Sequence, residues 1–109
     1  MKKFEAIVLL SPDLNNQNID KEEKFFIKNI EDSEGKIISQ ENWGLKDLSF
    51  NINNFKKAYY KFFQIEIEGS KIQNIRKIIA QNEKILRHLF VNVKEHQTLP
   101  TKMINNEER

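Results

Sequence analysis

His88 and His96 are the only imidazoles in this 109-residue chain. A general base needs a partner held within hydrogen-bond reach, and no spacing here proposes one. We read His88 as a strand residue and His96 as a solvated residue where a tail begins. The chain has no cysteine, which excludes thiolate nucleophiles, disulfides and zinc–thiolate sites. Glu31, Asp32 and Glu34 cluster without EF-hand spacing, the pattern of a solvated helix end rather than a metal site. There are three glycines, and neither G-x-x-x-x-G-K-[ST] nor G-x-G-x-x-G occurs. No catalytic constellation, metal or cofactor is implied, and neither is a small-molecule substrate. What remains is chemistry of contact. Cations on strand ends or loops that could meet phosphate are Lys2, Lys3, Lys46, Lys56, Lys57, Lys61, Arg87 and Lys94. Aromatic side chains that could meet a base or a protein are Tyr60 and Phe62.

The elements that position these groups follow from periodicity. Residues 4–10 (FEAIVLL) read as a strand, with Phe4, Ala6, Val8 and Leu10 on one face and Glu5, Ile7 and Leu9 on the other. Ser11-Pro12-Asp13 signals a turn. Ile19, Phe26, Ile27 and Ile30 then make one helical stripe over residues 15–30. Asn18 or Asp20 is the expected cap, Glu22 and Glu23 suit the first turn, and Gly35 is the expected left-handed terminator. Residues 36–50 alternate imperfectly around Trp43-Gly44, where a glycine inside a strand predicts a bulge or bend. Residues 51–57 read as a loop. Residues 58–68 (AYYKFFQIEIE) are the strongest strand. Tyr59, Lys61, Phe63, Ile65 and Ile67 share one face, and Tyr60, Phe62, Gln64, Glu66 and Glu68 share the other. Ser70 is the expected cap of a second amphipathic helix carrying Ile72, Ile75, Ile78 and Ile79 and ending near Asn82. Residues 85–94 (ILRHLFVNVK) form the last strand.

The order is β-α-β-β-α-β. This predicts an α+β, ferredoxin-like split βαβ fold: a four-stranded antiparallel sheet with two helices on one face. One domain over residues 1–96 and a C-terminal tail over 97–109, ordered on binding, are expected.

Composition narrows the class. The longest apolar run, residues 6–10, is far short of the ~20 needed to span a bilayer. Glu5 interrupts any signal-peptide core after Lys2-Lys3, so a cytoplasmic protein without membrane contact is expected. A net charge of +2 is too small to identify a nucleic-acid binder by itself. Ile (15), Lys (15) and Asn (13) dominate, while Arg numbers three. Lys and Arg are not equivalent at bidentate sites, so this ratio reflects an AT-rich genome rather than the fold.

Two function classes share the topology. Acylphosphatases bind phosphate with an arginine after the first strand. The corresponding loop here (SPDLNNQN) has none, since the first arginine is Arg76. RNA-recognition modules stack bases on sheet aromatics. KAYYKFF at residues 57–63 partly resembles their third-strand motif but has Ala58 in place of its glycine, and Glu5 stands where the first strand should offer an aromatic. A stand-alone module stacking single-stranded RNA on Tyr60 and Phe62 is the alternative reading. Ile7, Leu9, Tyr60 and Phe62 also leave the second sheet face apolar, and such a patch marks an interaction surface.

The central segment carries a stronger likeness. Phe4-Glu5 and Ser11-Pro12-Asp13 come first, followed by Glu34-Gly35-Lys36-Ile37. Then come residues 41–52 (ENWGLKDLSFNI), Lys57-Ala58-Tyr59-Tyr60 and Leu86-Arg87-His88-Leu89. In this order they resemble the bacterial small-subunit ribosomal protein six family across residues 1–96. W-G-x-K-x-L-S-F-x-I followed by K-A-x-Y is the most specific part. The family commonly has two basic residues where this chain has Leu45-Lys46, Ala-Tyr where it has Ser49-Phe50, and a basic residue near Asn54. Its long charged C-terminal tail is short here.

The resemblance implies a non-catalytic, ribosome-associated protein. Such a protein binds the central domain of small-subunit rRNA together with small-subunit ribosomal protein eighteen during platform assembly. It also implies RNA contact through Lys2, Lys3, Lys46, Lys56 and Arg87, with Arg87 the strongest single choice. Trp43, Tyr59, Tyr60 and Phe62 become partner or RNA surface, although Trp43 is equally suited to packing against its own domain.

Overall fold

The structure, a computed structural model, describes residues 1–96. The expected 97–109 tail lies outside the described residues. The elements are β1 (Lys2–Leu10), α1 (Asn16–Asp32), β2 (Lys36–Ile52), β3 (Phe55–Ile67), α2 (Ile72–Ala80) and β4 (Ile85–Val93). The strands pair antiparallel in the order β2-β3-β1-β4. This is the expected β-α-β-β-α-β fold.

Both helices cover one sheet face. Phe4, Ala6, Val8 and Leu10 of β1 and Phe63, Ile65 and Ile67 of β3 meet Ile19, Phe26 and Ile30 of α1 and Ile72, Ile75 and Ile79 of α2. Phe26 sits at the centre, its ring 4.4 Å from that of Phe63 and 6.0 Å from that of Phe90. Lys61 points to this same face. It is buried, with Nζ 3.6 Å from a Glu23 carboxylate oxygen, so its long apolar stem lies in the core margin and its charge is paired.

Helix termini differ from the expectation. α1 is capped by Asn15, whose Oδ1 accepts from the Asn18 N–H at 2.9 Å. Asn18 is the recipient of the cap, not the cap. Glu22 therefore lies beyond the first turn. It is buried and accepts from Asn82 Nδ2 at 2.6 Å. Asn15→Ala should lower stability by about 1 kcal/mol, a fall in thermal midpoint of roughly 4–8 °C. An unchanged midpoint would remove the cap from the stabilising interactions.

At the other end of α1 the left-handed residue is Glu34 (φ 64), not Gly35. Lys71 Nζ donates to Glu34 Oε1 at 2.8 Å, which holds that carboxyl below its usual range. Gly35 is required for another reason. A Cβ there would stand 2.9 Å from Ile30 Cγ2 and 3.0 Å from Ile67 Cδ1. Ser70 does not cap α2. A 3-10 turn over Gly69–Lys71 leads into the helix, and Lys71 occupies the cap position without a side-chain bond. The 3-10 turn already holds the chain in a helical trajectory, so the extended conformation that a capping serine needs does not occur there.

The predicted loop over residues 51–57 is a tight hairpin instead. β2 runs to Ile52, Asn53 (φ 50) and Asn54 (φ 69) turn the chain, and Ile52 pairs with Phe55. Two consecutive left-handed residues make the turn whose twist suits a hairpin, and Asn tolerates that region. The predicted bulge is present. Gly44 has φ +80, and the β2–β3 register shifts between Asn42 and Gly44. Two further shifts fall between Ile37 and Ser39 and between Asp47 and Ile52, the latter in the outer part of the hairpin.

Candidate nucleic-acid interface

The second sheet face is built from the side chains left over by the core. Ile7, Leu9, Tyr60, Ala58 and Leu86 lie on it, and cross-strand pairing adds neighbours. Leu9 faces Tyr60 on one side and Arg87 on the other, Ile7 faces Leu89, and Glu5 faces Val91. Residues directly opposite in an antiparallel pair point the same way. Arg87, Leu89 and Val91 therefore share this face, and Leu89 and Val91 are largely exposed.

The hairpin does not continue flat. β2 and β4 are opposite edges of the sheet, three strand spacings or about 14 Å apart. Yet the Arg87 guanidinium of β4 lies 5.6 Å from the Phe50 ring centroid of β2. Leu48 and Ile52 of β2 also pack with Leu9 of β1 and Leu86 of β4. The outer part of the β2–β3 hairpin thus curls as an arm across the open face. The register shifts permit this, because bulges bend and twist a strand.

The arm alters the status of the predicted aromatics. Phe62 is only 2% exposed. The Trp43 ring stacks on it at 5.2 Å and 11°, reaches Tyr60 at 6.3 Å, and donates Nε1–H to Glu41 Oε1 at 2.9 Å. Trp43 is itself 7% exposed. Phe62 is therefore not available for base stacking, and the Tyr60–Phe62 platform of the alternative reading is covered by the chain's own tryptophan. Alternation identifies the face a residue points to, not what lies over that face. Tyr59 points the other way and packs on the helix-covered core. Tyr60 stays half-buried on the open face.

The predicted cations divide into two groups. Lys46 pairs across from Ala58, Lys56 is two residues from Ala58 on the same strand face, and Arg87 is opposite Leu9. These three lie at the arm end of the open face. Lys2 and Lys3 begin β1 at the opposite end, paired with Ile67 and Glu66, and Lys3 Nζ lies 3.6 Å from a Glu95 carboxylate oxygen. Lys57 is offset by Asp47 at 3.7 Å. Sequence reasoning missed Phe50, which is 63% exposed beside Arg87. Its signal was present: an aromatic residue between Ser49 and Asn51, next to a turn.

Neither histidine is where solvent alone would hold it. His96 is largely covered, not solvated. Its Nδ1 stands 3.5 Å from Glu5 Oε2 without a hydrogen bond, and that oxygen accepts from Gln64 Nε2 at 3.1 Å. This ties the segment after β4 to the open face. His88 lies on β4 as expected. Burial, and then the Arg76 guanidinium, hold its imidazole below the usual 6.5. A depressed folded-state value means that its contribution is present above that usual value and is lost as pH falls through the folded one. His88→Gln should therefore flatten the decline in stability on the acid side of 6.5. An imidazole titrating at or above its usual value in NMR would contradict this.

Among the described residues no group of His, Asp and Glu side chains is arranged to hold a metal ion, and no helix is long and apolar enough to cross a membrane. The family profile of ribosomal protein S6 matches residues 3–92. The chain belongs to the ribosomal protein S6 family. Small ribosomal subunit protein bS6 of Rickettsia felis is 30% identical over 107 residues, covering 98% of this chain and 88% of the relative. The bS6 protein of Zymomonas mobilis is 30% identical over 109 residues, covering 100% and 88%. The crystal structure of 30S ribosomal protein S6 from Thermotoga maritima superposes with a TM-score of 0.81 at 18% identity, covering 84% of this chain and 87% of that one. For this S6-family chain, the profile spans all four strands and both helices, so the curled arm and the open face lie inside the family's domain.

Proposed function

We propose that this protein is a structural component of the small ribosomal subunit. In this reading it binds the central domain of small-subunit rRNA together with small-subunit ribosomal protein eighteen as the platform assembles. Family membership carries the proposal, and the relatives are named as small-subunit proteins. The geometry is consistent with it. One end of the open face gathers Lys46, Lys56 and Arg87, suited to phosphate contact. The β4 side offers Leu89 and Val91 in the open, suited to an apolar protein contact. The two functions divide along one face, so a partner and RNA can be held at once. A protein that shares its RNA with a basic partner also has no need of a large charge of its own, in keeping with a net charge of +2.

The test is binding to an rRNA central-domain fragment across a salt series, with and without the partner protein. Tight binding only with the partner supports the cooperative role. Equal binding to unrelated single-stranded RNA without the partner would reject it and leave the family assignment describing the fold alone.

A further inference from the structure

Phe50 is the large apolar side chain whose setting fits the core least. It is 63% exposed, and its chain neighbours Ser49 and Asn51 are exposed and polar. The turn that follows adds exposed Asn53 and Asn54. The ring is nonetheless held in place, because Leu48 and Ile52 on either side of it anchor the arm to Leu9 and Leu86. Its position is further set by the Arg87 guanidinium 5.6 Å from the ring centroid. Lys46 and Lys56 lie at the same end of the face, while the nearby Asp47 is engaged by Lys57.

Resting on the RNA-binding reading above, we propose that Phe50, with the Arg87 guanidinium against its ring, is a stacking platform for one unpaired nucleobase of the rRNA. Lys46, Lys56 and Arg87 hold the flanking phosphates. The observations favour a nucleic acid over a protein for two reasons. A protein anchor needs a desolvated pocket with apolar surroundings, whereas Phe50 is 63% exposed and has the Arg87 guanidinium beside its ring. A base needs a planar face with positive charge beside it, and unstacked bases are bound on aromatic rings and on guanidinium planes alike. The arrangement also replaces the Tyr60–Phe62 platform that Trp43 covers. The ring that can accept a base is the one outside the sheet.

The test compares Phe50→Ala, Phe50→Leu and Phe50→Trp for binding to the rRNA central-domain fragment in the presence of the partner protein. Phe50 is exposed, so the thermal midpoints of all three should match the native chain. Loss of one base stack predicts binding weakened by about 5- to 150-fold for the Ala and Leu variants. The slope against salt should not change, because no ion contact is removed, and Phe50→Trp should retain native affinity. Native affinity in Phe50→Ala would overturn the proposal. Native affinity in Phe50→Leu alone would also overturn it, since apolar contact without a ring would then suffice. Weakened binding of Phe50→Ala to the partner protein in the absence of RNA would make Phe50 a protein contact instead. If the native chain with its partner shows no preference for the fragment, the RNA-binding reading itself fails, and the platform falls with it.

Discussion

Replacing Phe26 with Ala should lower the free energy of unfolding by about 3–5 kcal/mol. The ring is almost fully buried and lies where α1 meets the middle of the sheet, against Phe63 and Phe90. Its removal forfeits the transfer of a phenyl group out of water and leaves a cavity that three different elements line. Neither strand can collapse into it freely, because β3, which carries Phe63, is paired on both sides and β4, which carries Phe90, is paired along its length with β1. Domains of this size are stable by only about 5–15 kcal/mol, so the loss is roughly a fifth of the total or more. Urea denaturation would read it as a large fall in midpoint with little change in slope. A loss under about 1 kcal/mol would mean that α1 is not seated on the sheet as described.

Removing the three cations at the arm end, in the combined Lys46→Ala, Lys56→Ala and Arg87→Ala variant, should have the largest effect on binding. If each side chain neutralises one phosphate, the slope of log affinity against log salt falls by about 2–3, with Arg87 alone worth about one. Raising salt from roughly 50 to 200 mM would then cost the native protein roughly 15- to 65-fold more affinity than the variant. A control of equal charge is available on the helix side, where Lys24, Lys28 and Lys77 are exposed. Their combined replacement by Ala should leave the slope unchanged. Equal effects of the two triple variants would mean that RNA does not select the open face.

Much of the fold was legible because it is written in local periods. Alternation in residues 4–10 and 58–68 identified the two central strands, and the isoleucine stripes identified both helices. The glycine after Trp43 marked the bulge. What the sequence hid was decided by contacts between distant residues or by small backbone choices. Asn53-Asn54 lacks the glycine that usually announces a two-residue hairpin, so a turn was read as a loop. Asn18 and Asp20 offered capping side chains inside what is already helix, because the apolar stripe does not say which polar residue before it is the cap. The candidate site fared unevenly. Lys46, Lys56 and Arg87 do converge on one end of the open face, while Lys2 and Lys3 lie at the other. Phe62 was assigned to the correct face, but the stack of Trp43 above it is a contact between residues nineteen apart, which strand alternation does not encode. Phe50 was overlooked because a single exposed aromatic has no period.

The arm's attachment sets how this surface can respond. Fifteen buried apolar residues form the main core, but three, Leu9, Ile52 and Ala58, anchor the arm. Free energy of local opening follows the apolar surface released, so regions held by few such contacts open well below the cost of global unfolding. The amides of residues 47–55 should therefore exchange with solvent through a partial opening that leaves the helices and central strands intact. Phe50 rides on that segment, whereas Arg87 belongs to a strand paired with β1. Such an opening would carry the ring away from the guanidinium and reclosing would restore the platform while the domain stays folded. The cost of opening the arm would be the release of this small cluster, not of the domain.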